Sequence, residues 1–271
     1  MSNNFYKYCH IISKSQSVAL AFSVVKKTGI EIYQCDILDF SAHEKNGALE
    51  KRVSFKKNNN SDDVSFSSKC CTFSLKNENE NKHFYCKFDT CFSHSCIEAD
   101  ITVSNISEYA HSRKGRTTDF VSAKGYVKTK KGKYEFTSEN DFGVFCELND
   151  FETVSGRYGA CVGLTEGKIL AFCFGSEEKT ENRIFYDGKV FPFINTEVTL
   201  PEGKITDIWK IKSQNGNLKF EFKPSFNDRI DFTSPFFKVH GDRFFGNASG
   251  TLSVENTAVN FDGLTALCER V

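Results

Sequence analysis

Apolar and polar residues alternate along most of this chain. GIEIYQCDI (29–37), KHFYCKFD (82–89), IEADITVS (97–104) and NLKFEFKP (217–224) switch between the two classes at period two, the signature of a strand with one face buried. None of them sustains the 3.6-residue period of a helix. Lys131-Gly132, Glu166-Gly167, Asp187-Gly188 and Asn215-Gly216 stand between strand-like runs. Asp-Gly and Asn-Gly favour two-residue hairpin turns, because both central residues need positive φ. RIFYDGKVFPF (183–193) is the clearest case and predicts a type I′ turn at Asp187-Gly188. The polar stretches KKNNNSDD (56–63) and KNENENK (76–82) read as solvated loops. The pattern as a whole predicts about eighteen to twenty short strands.

So many antiparallel strands in 271 residues mean an all-β protein of sandwich or barrel layers. The charged stretch HSRKGRTTD (111–119) lacks apolar periodicity. It divides the chain into a unit over 1–118 and a larger one over 119–271.

Composition adds an interior and removes several partners. The 28 Phe against one Trp and one Met predict a core lined by large flat rings. Lys+Arg and Asp+Glu are both 35, so no general field draws the chain to nucleic acid or to an anionic membrane. No stretch approaches the roughly 20 apolar residues of a membrane span, and the N-terminus lacks the pattern of a signal peptide. A cytoplasmic protein is expected, with its eleven cysteines as reduced thiols.

His83, Cys86, Cys91, His94 and Cys96 have the residue types of a metal site without its spacing, so no metal is expected. A G-x-S-x-G elbow, a phosphate-binding glycine loop and a dinucleotide fingerprint are all absent, and no cofactor is expected. Polar groups gather near turns in the second half: Glu147, Arg157, Tyr158, Glu181, Asn182, Arg183 and Asp187. A carboxyl facing a Phe-lined cavity has its pKa raised by desolvation and can donate a proton to an olefin or carbonyl. The same residues also read as rim or hairpin groups, Asp187 as the first residue of its turn. In FFGNASGTL (244–252) the two glycines suit tight backbone geometry or the close approach of a neighbouring strand, and the stretch is expected to turn the chain into a penultimate strand.

TENRIFYDGKVFPF (180–193), IWKIKSQNGNLKFEFKP (208–224) and RFFGNASGTLSVENTAVNFDGLTALCERV (243–271) follow one another as in the family called domain of unknown function 2804, which the chain resembles. Thr180, Glu181, Asn182, Asp187, Gly188, Trp209, Gly216 and Pro224 fit its pattern, as do Phe245, Gly246, Ser249, Gly250, Gly263 and Glu269. The family's Trp-rich segment is replaced by ELNDFETVSGRYGACVG (147–163), and its His-Gln pair falls on Asp242-Arg243, with His240 two residues away. The resemblance implies two lipocalin-like β units in tandem, similar to carotenoid hydratase, tocopherol cyclase and fungal decalin-forming pericyclases. Those proteins bind large apolar molecules and assist hydration or ring closure.

The expected partner is therefore an apolar small molecule, lipid-like or isoprenoid-like, held with or without acid-assisted cyclisation, hydration or isomerisation. Glu147 and Glu181 are the expected proton donors and Arg157 or Tyr158 the orienting group. Asn182 and Phe245 are expected to contact the ligand, and Trp209 to form a wall. A carrier without chemistry, and an interaction protein whose barrels are filled by their own side chains, are the alternatives.

Overall fold

A computed structural model describes residues 4–27, 29–53, 63–89, 96–113, 116–149, 157–175, 182–193, 196–204, 206–234, 237–255 and 257–270. For 107–113, 116, 157, 182, 192–193, 230–234, 237–240 and 270 only the backbone is described. The chain divides into two compact units, Met1–Glu152 and Thr153–Val271. Among the described residues every regular element is a strand.

The first unit contains β1 (Phe5–Ser13), β2 (Val18–Lys27), β3 (Ile30–Asp39), β4 (Glu44–Val53), β5 (Val64–Ser67), β6 (Cys71–Glu78), β7 (Asn81–Asp89), β8 (Cys96–Arg113), β9 (Arg116–Thr129), β10 (Lys133–Phe136) and β11 (Phe142–Asn149). They form one antiparallel sheet in the order β4-β3-β2-β1-β11-β9-β8-β7-β6-β5, with β10 paired to β9. The second unit contains β12 (Arg157–Thr165), β13 (Lys168–Gly175), β14 (Asn182–Tyr186), β15 (Lys189–Phe193), β16 (Thr196–Thr199), β17 (Trp209–Ser213), β18 (Leu218–Ser234), β19 (Phe237–Val254) and β20 (Thr257–Arg270). Their order is β15-β14-β13-β12-β20-β19-β18-β17-β16.

The unit boundary thus falls after Glu152, not at 118/119. HSRKGRTTD is no linker: it spans the ends of β8 and β9, which pair across it from Ala110↔Asp119 to Arg113↔Arg116. β11 then returns to pair with β1 along its length, which draws 119–149 into the first sheet. KNENENK is likewise the tip of a hairpin. Pairing continues to Glu78↔Asn81, and Asn79 takes the left-handed conformation at φ 58°.

Each sheet curls back on itself, the first edge to edge and the second with its edge strand β16 against β13. In the first unit Tyr33 of β3 stacks on Phe66 of β5, with centroids 5.3 Å apart and planes at 9°. The Arg52 guanidinium of β4 lies 5.0 Å from the same ring. In the second unit Thr196 of the edge strand β16 donates to the Gly175 carbonyl of β13 at 2.8 Å, and its hydroxyl accepts the Gly175 N–H at 3.1 Å. The inner faces are filled by the protein's own rings. Phe22 stacks on Phe84 at 5.1 Å, and Phe220 meets Phe172 and Phe174 at 5.3 and 5.1 Å. Trp209 packs on Phe222 and Phe244 at 5.5 and 5.0 Å.

Asp187 and Gly188 adopt φ 51° and 77°, the double left-handed geometry of a type I′ turn. FFGNASGTL, by contrast, makes no turn and lies wholly inside β19. A Cβ on Gly246 would stand 2.1 Å from the Lys223 carbonyl oxygen, and one on Gly250 would stand 2.3 Å from that of Lys219. Register shifts fall within the stretch, between Ala248 and Gly250, and opposite it, between Pro224 and Phe226. The glycines therefore let neighbouring backbones close in where the sheet bends.

Candidate functional site

In the first unit, Glu147 projects to the inner side of the sheet beside its register partner Lys7. The ammonium of Lys7 lies 3.3 Å from the Glu147 carboxylate and 5.1 Å from the centroid of Phe5. Three more cations repeat this arrangement at the same end of the barrel. Lys26 pairs with Glu31 at 3.4 Å over Phe5, and Arg52 pairs with Glu31 at 3.7 Å over Phe66. Lys82 pairs with Asp119 at 3.1 Å over Phe145. Each cation has a carboxylate and a ring face, so the cluster closes the barrel end with satisfied charge. Glu147 serves as one of its anions, and its side chain is 30% exposed.

The second unit carries a different cluster. Asp228 on β18 stands opposite Arg243 on β19, Arg243 opposite Glu269 on β20, and Glu269 opposite Tyr158 on β12. Register partners in an antiparallel sheet point to the same face, so these four side chains form one row across four strands. Their exposures are 3%, 1%, 3% and 6%. Arg243 Nη2 lies 3.0 Å from Asp228 Oδ2, and the Tyr158 hydroxyl donates to Cys173 Sγ at 2.8 Å. Two residues along each strand runs a parallel apolar row, Phe226, Phe245, Leu267 and Ala160. Phe245, Leu267 and Ala160 are buried in it. This is the outer face of the sheet, because the alternate residues Phe244, Ala266, Cys268 and Cys161 belong to the inner core.

Two expected ligand contacts, Tyr158 and Phe245, therefore share a face, and Trp209 lies on the opposite, inner side. Arg157 and Asn182 begin β12 and β14, with side chains outside the described residues. Glu181 lies outside them altogether. Apolar periodicity marks neither Asp228, Arg243 nor Glu269 as a site residue. The resemblance includes Glu269 and sets Arg243 in the place of the His-Gln pair, but the row they form with Asp228 is a matter of cross-strand register, visible once β18, β19 and β20 are paired.

On the outer face of β1, Tyr8 stacks on His10 at 4.5 Å and lies 5.1 Å from Tyr6, all three buried. His83 and Cys86 cannot share a metal ion. Cys86 belongs to the inner core, whereas His83, an odd number of positions away, faces outward and meets Asp100 Oδ1 at 2.8 Å. Cys91 and His94 lie outside the described residues. None of the ten described cysteines is in a disulfide, and eight of them are buried. Burial drives the thiols of Cys9, Cys35 and Cys161 well above the ordinary range and that of Cys71 up to about 12. Such thiols act as small apolar groups.

The family described as Domain of unknown function (DUF2804) matches residues 3–271. The chain belongs to this family. Among solved structures, it is similar to kievitone hydratase from Nectria haematococca, with a TM-score of 0.65 and 10% identity over 99% of this chain and 89% of that one. A candidate AttH from Nitrosomonas europaea gives a TM-score of 0.62 and 9% identity over 99% and 92%. At such identities the likeness is one of fold. No curated protein matches in sequence. No helix among the described residues is long and apolar enough to cross a membrane.

Proposed function

We propose that this DUF2804 protein binds an apolar small molecule and assists an acid-dependent addition to it, of water or of a second part of the same molecule. The observation that carries the reading is the outer face of the second sheet. There, a buried charged row adjoins a buried apolar row on the same four strands. Such an arrangement suits a ligand with a large apolar body and one polar end. The row sets Arg243 between the carboxyls of Asp228 and Glu269 on the two neighbouring strands. A site of this kind can exchange a proton with an olefin in a medium from which water is largely excluded. Hydration needs no further reagent: the proton joins one carbon, and the oxygen of water joins the other and releases a proton to the row. The likeness in fold to a hydratase supports this class of reaction.

On this reading Arg243, held by Asp228, orients the row. Tyr158 and Phe245 border the ligand, and Glu269 exchanges the proton. Glu147 instead completes the ion pairs of the first barrel. The test is incubation with kievitone and with isoprenoid olefins in heavy water. The expected product carries the added mass of water with deuterium on carbon, and its formation is lost in Glu269→Gln. Unchanged turnover in Glu269→Gln would remove Glu269 from the chemistry.

A second reading, a non-catalytic interaction protein with filled barrels, is favoured by the inner faces. Phe22 with Phe84, and Phe172, Phe174 and Phe220 with one another, already occupy them. It predicts no bound small molecule and no turnover.

A further inference from the structure

We propose that the outer face of β6–β10 in the first unit is a platform for single-stranded nucleic acid, with bases stacked on Tyr85 and Tyr126 and phosphates met by lysines on both sides. The inference is independent of the site on the second sheet.

The face follows from strand alternation. Leu75, Phe84, Cys86, Ile101, Ala123 and Val127 belong to the inner core, so the residues on either side of them point outward. Register sets those outward residues in three rows. Tyr85, Asp100 and Tyr126 form the middle one. Lys87, Glu98 and Lys128 form the row on one side. His83, Thr102 and Lys124 form the row on the other, which Lys76 extends onto β6. This face is open: the four lysines are exposed and the two tyrosines half-buried.

The placement of charge names the partner. The central carboxylates are engaged within the face. Asp100 meets His83 Nε2 at 2.8 Å, and Glu98 accepts the Tyr126 hydroxyl at 3.2 Å. Glu78 and Asp89 stand at the ends of the face. Lys76, Lys87, Lys124 and Lys128 flank the centre, and among the described residues none of the four takes part in an ion pair. The Lys133 ammonium pairs with Glu135 at 2.7 Å and lies 4.9 Å from the Tyr126 centroid, an exposed cation that a stacking base can displace towards a phosphate.

The chain as a whole is neutral, so the pull on an anion is local. A uniformly acidic partner would meet Glu98 and Asp100 at the centre. A single strand instead brings phosphates to the lysines and neutral bases to the middle, where rings stack and carboxylates accept base N–H groups. Tyr85 and Tyr126 stand two strands apart, about 10 Å, so each carries a base of its own. A duplex keeps its base faces stacked and offers the rings nothing.

The experiment uses the full chain and a fluorescein-labelled oligothymidylate of about 12 nucleotides, with anisotropy read at rising salt. Binding is expected at low salt, with log K falling against log salt at a slope of about −2, as three lysine–phosphate contacts give. Tyr85→Ala with Tyr126→Ala should weaken binding at least about tenfold and leave the slope unchanged. Lys124→Gln with Lys128→Gln should flatten the slope by about 1. Circular dichroism checks the fold of both. Polyglutamate and the same oligonucleotide paired to its complement should displace the probe poorly. Equal displacement by polyglutamate assigns the face to an acidic protein and overturns the proposal. Unchanged binding in the folded tyrosine variant, or no binding by the wild type at about 50 mM salt, overturns it as well.

Discussion

Removing Arg243 should cost the second unit more stability than removing Asp228, although each breaks the same ion pair. The two charges stand 3.0 Å apart, with side chains 1% and 3% exposed. At an effective dielectric constant of about 20, such a separation corresponds to about 5 kcal/mol of attraction, against about 1 kcal/mol in bulk water. Desolvation of both groups consumes much of that gain, so the pair adds little net stability beyond an apolar replacement. Breaking it is another matter. Asp228→Asn leaves the guanidinium one strand from the carboxyl of Glu269, its register partner on β20, and should cost about 2–3 kcal/mol. Arg243→Met removes the cation that stands in register between two buried carboxyls, Asp228 and Glu269, and should cost about 4–5 kcal/mol. Asp228→Leu with Arg243→Met should cost less than Arg243→Met alone. Urea unfolding followed by Trp209 reads these differences directly, because that residue sits in the core of the same unit. An Arg243→Met loss no greater than that of Asp228→Asn, or losses below about 1 kcal/mol for both, would refute the account of the row as a single charge network.

Gly159 offers a packing test. A Cβ there would stand 2.1 Å from Phe174 Cζ, and that ring is wedged against Phe220 at 5.1 Å. Gly159→Ala should cost about 1–3 kcal/mol, and Phe174→Leu should recover most of it; an equal loss in both backgrounds would contradict the clash. In a Cys91→Ser protein at pH 8, only Cys70 and Cys96, the two partly exposed thiols, should react rapidly with a thiol reagent. Rapid labelling of Cys71 would contradict its burial. Burial also raises the carboxyl of Asp141. The stability it contributes is present below the unfolded carboxylate pKa and is lost as pH rises through the folded value. Wild type should therefore lose stability relative to Asp141→Asn as pH climbs from about 3 to 6, and the opposite slope would contradict this sign.

The β architecture was legible because alternation and turn chemistry are local. The Asp187-Gly188 turn follows from two residues whose φ values the hairpin dictates. Unit division was not, because HSRKGRTTD looks like a linker until β8 and β9 pair through it. Glycine in FFGNASGTL announced close backbone approach, but whether that meant a turn or a bend inside β19 depended on two register shifts. The candidate site was half visible. Tyr158 was expected from the polar groups near its turn and Phe245 from the family pattern, whereas Asp228, Arg243 and Glu269 line up only through the pairing of three strands. Glu147 looked like an acid in a Phe-rich protein, and the fold places Lys7 beside it.

The most direct test of the central claim is native mass spectrometry of the protein purified from its own host, followed by organic extraction. The account predicts a co-purifying apolar molecule, reduced in the Asp228→Asn, Arg243→Gln protein. Bare chain mass in repeated preparations would contradict it and leave two filled barrels as the better description.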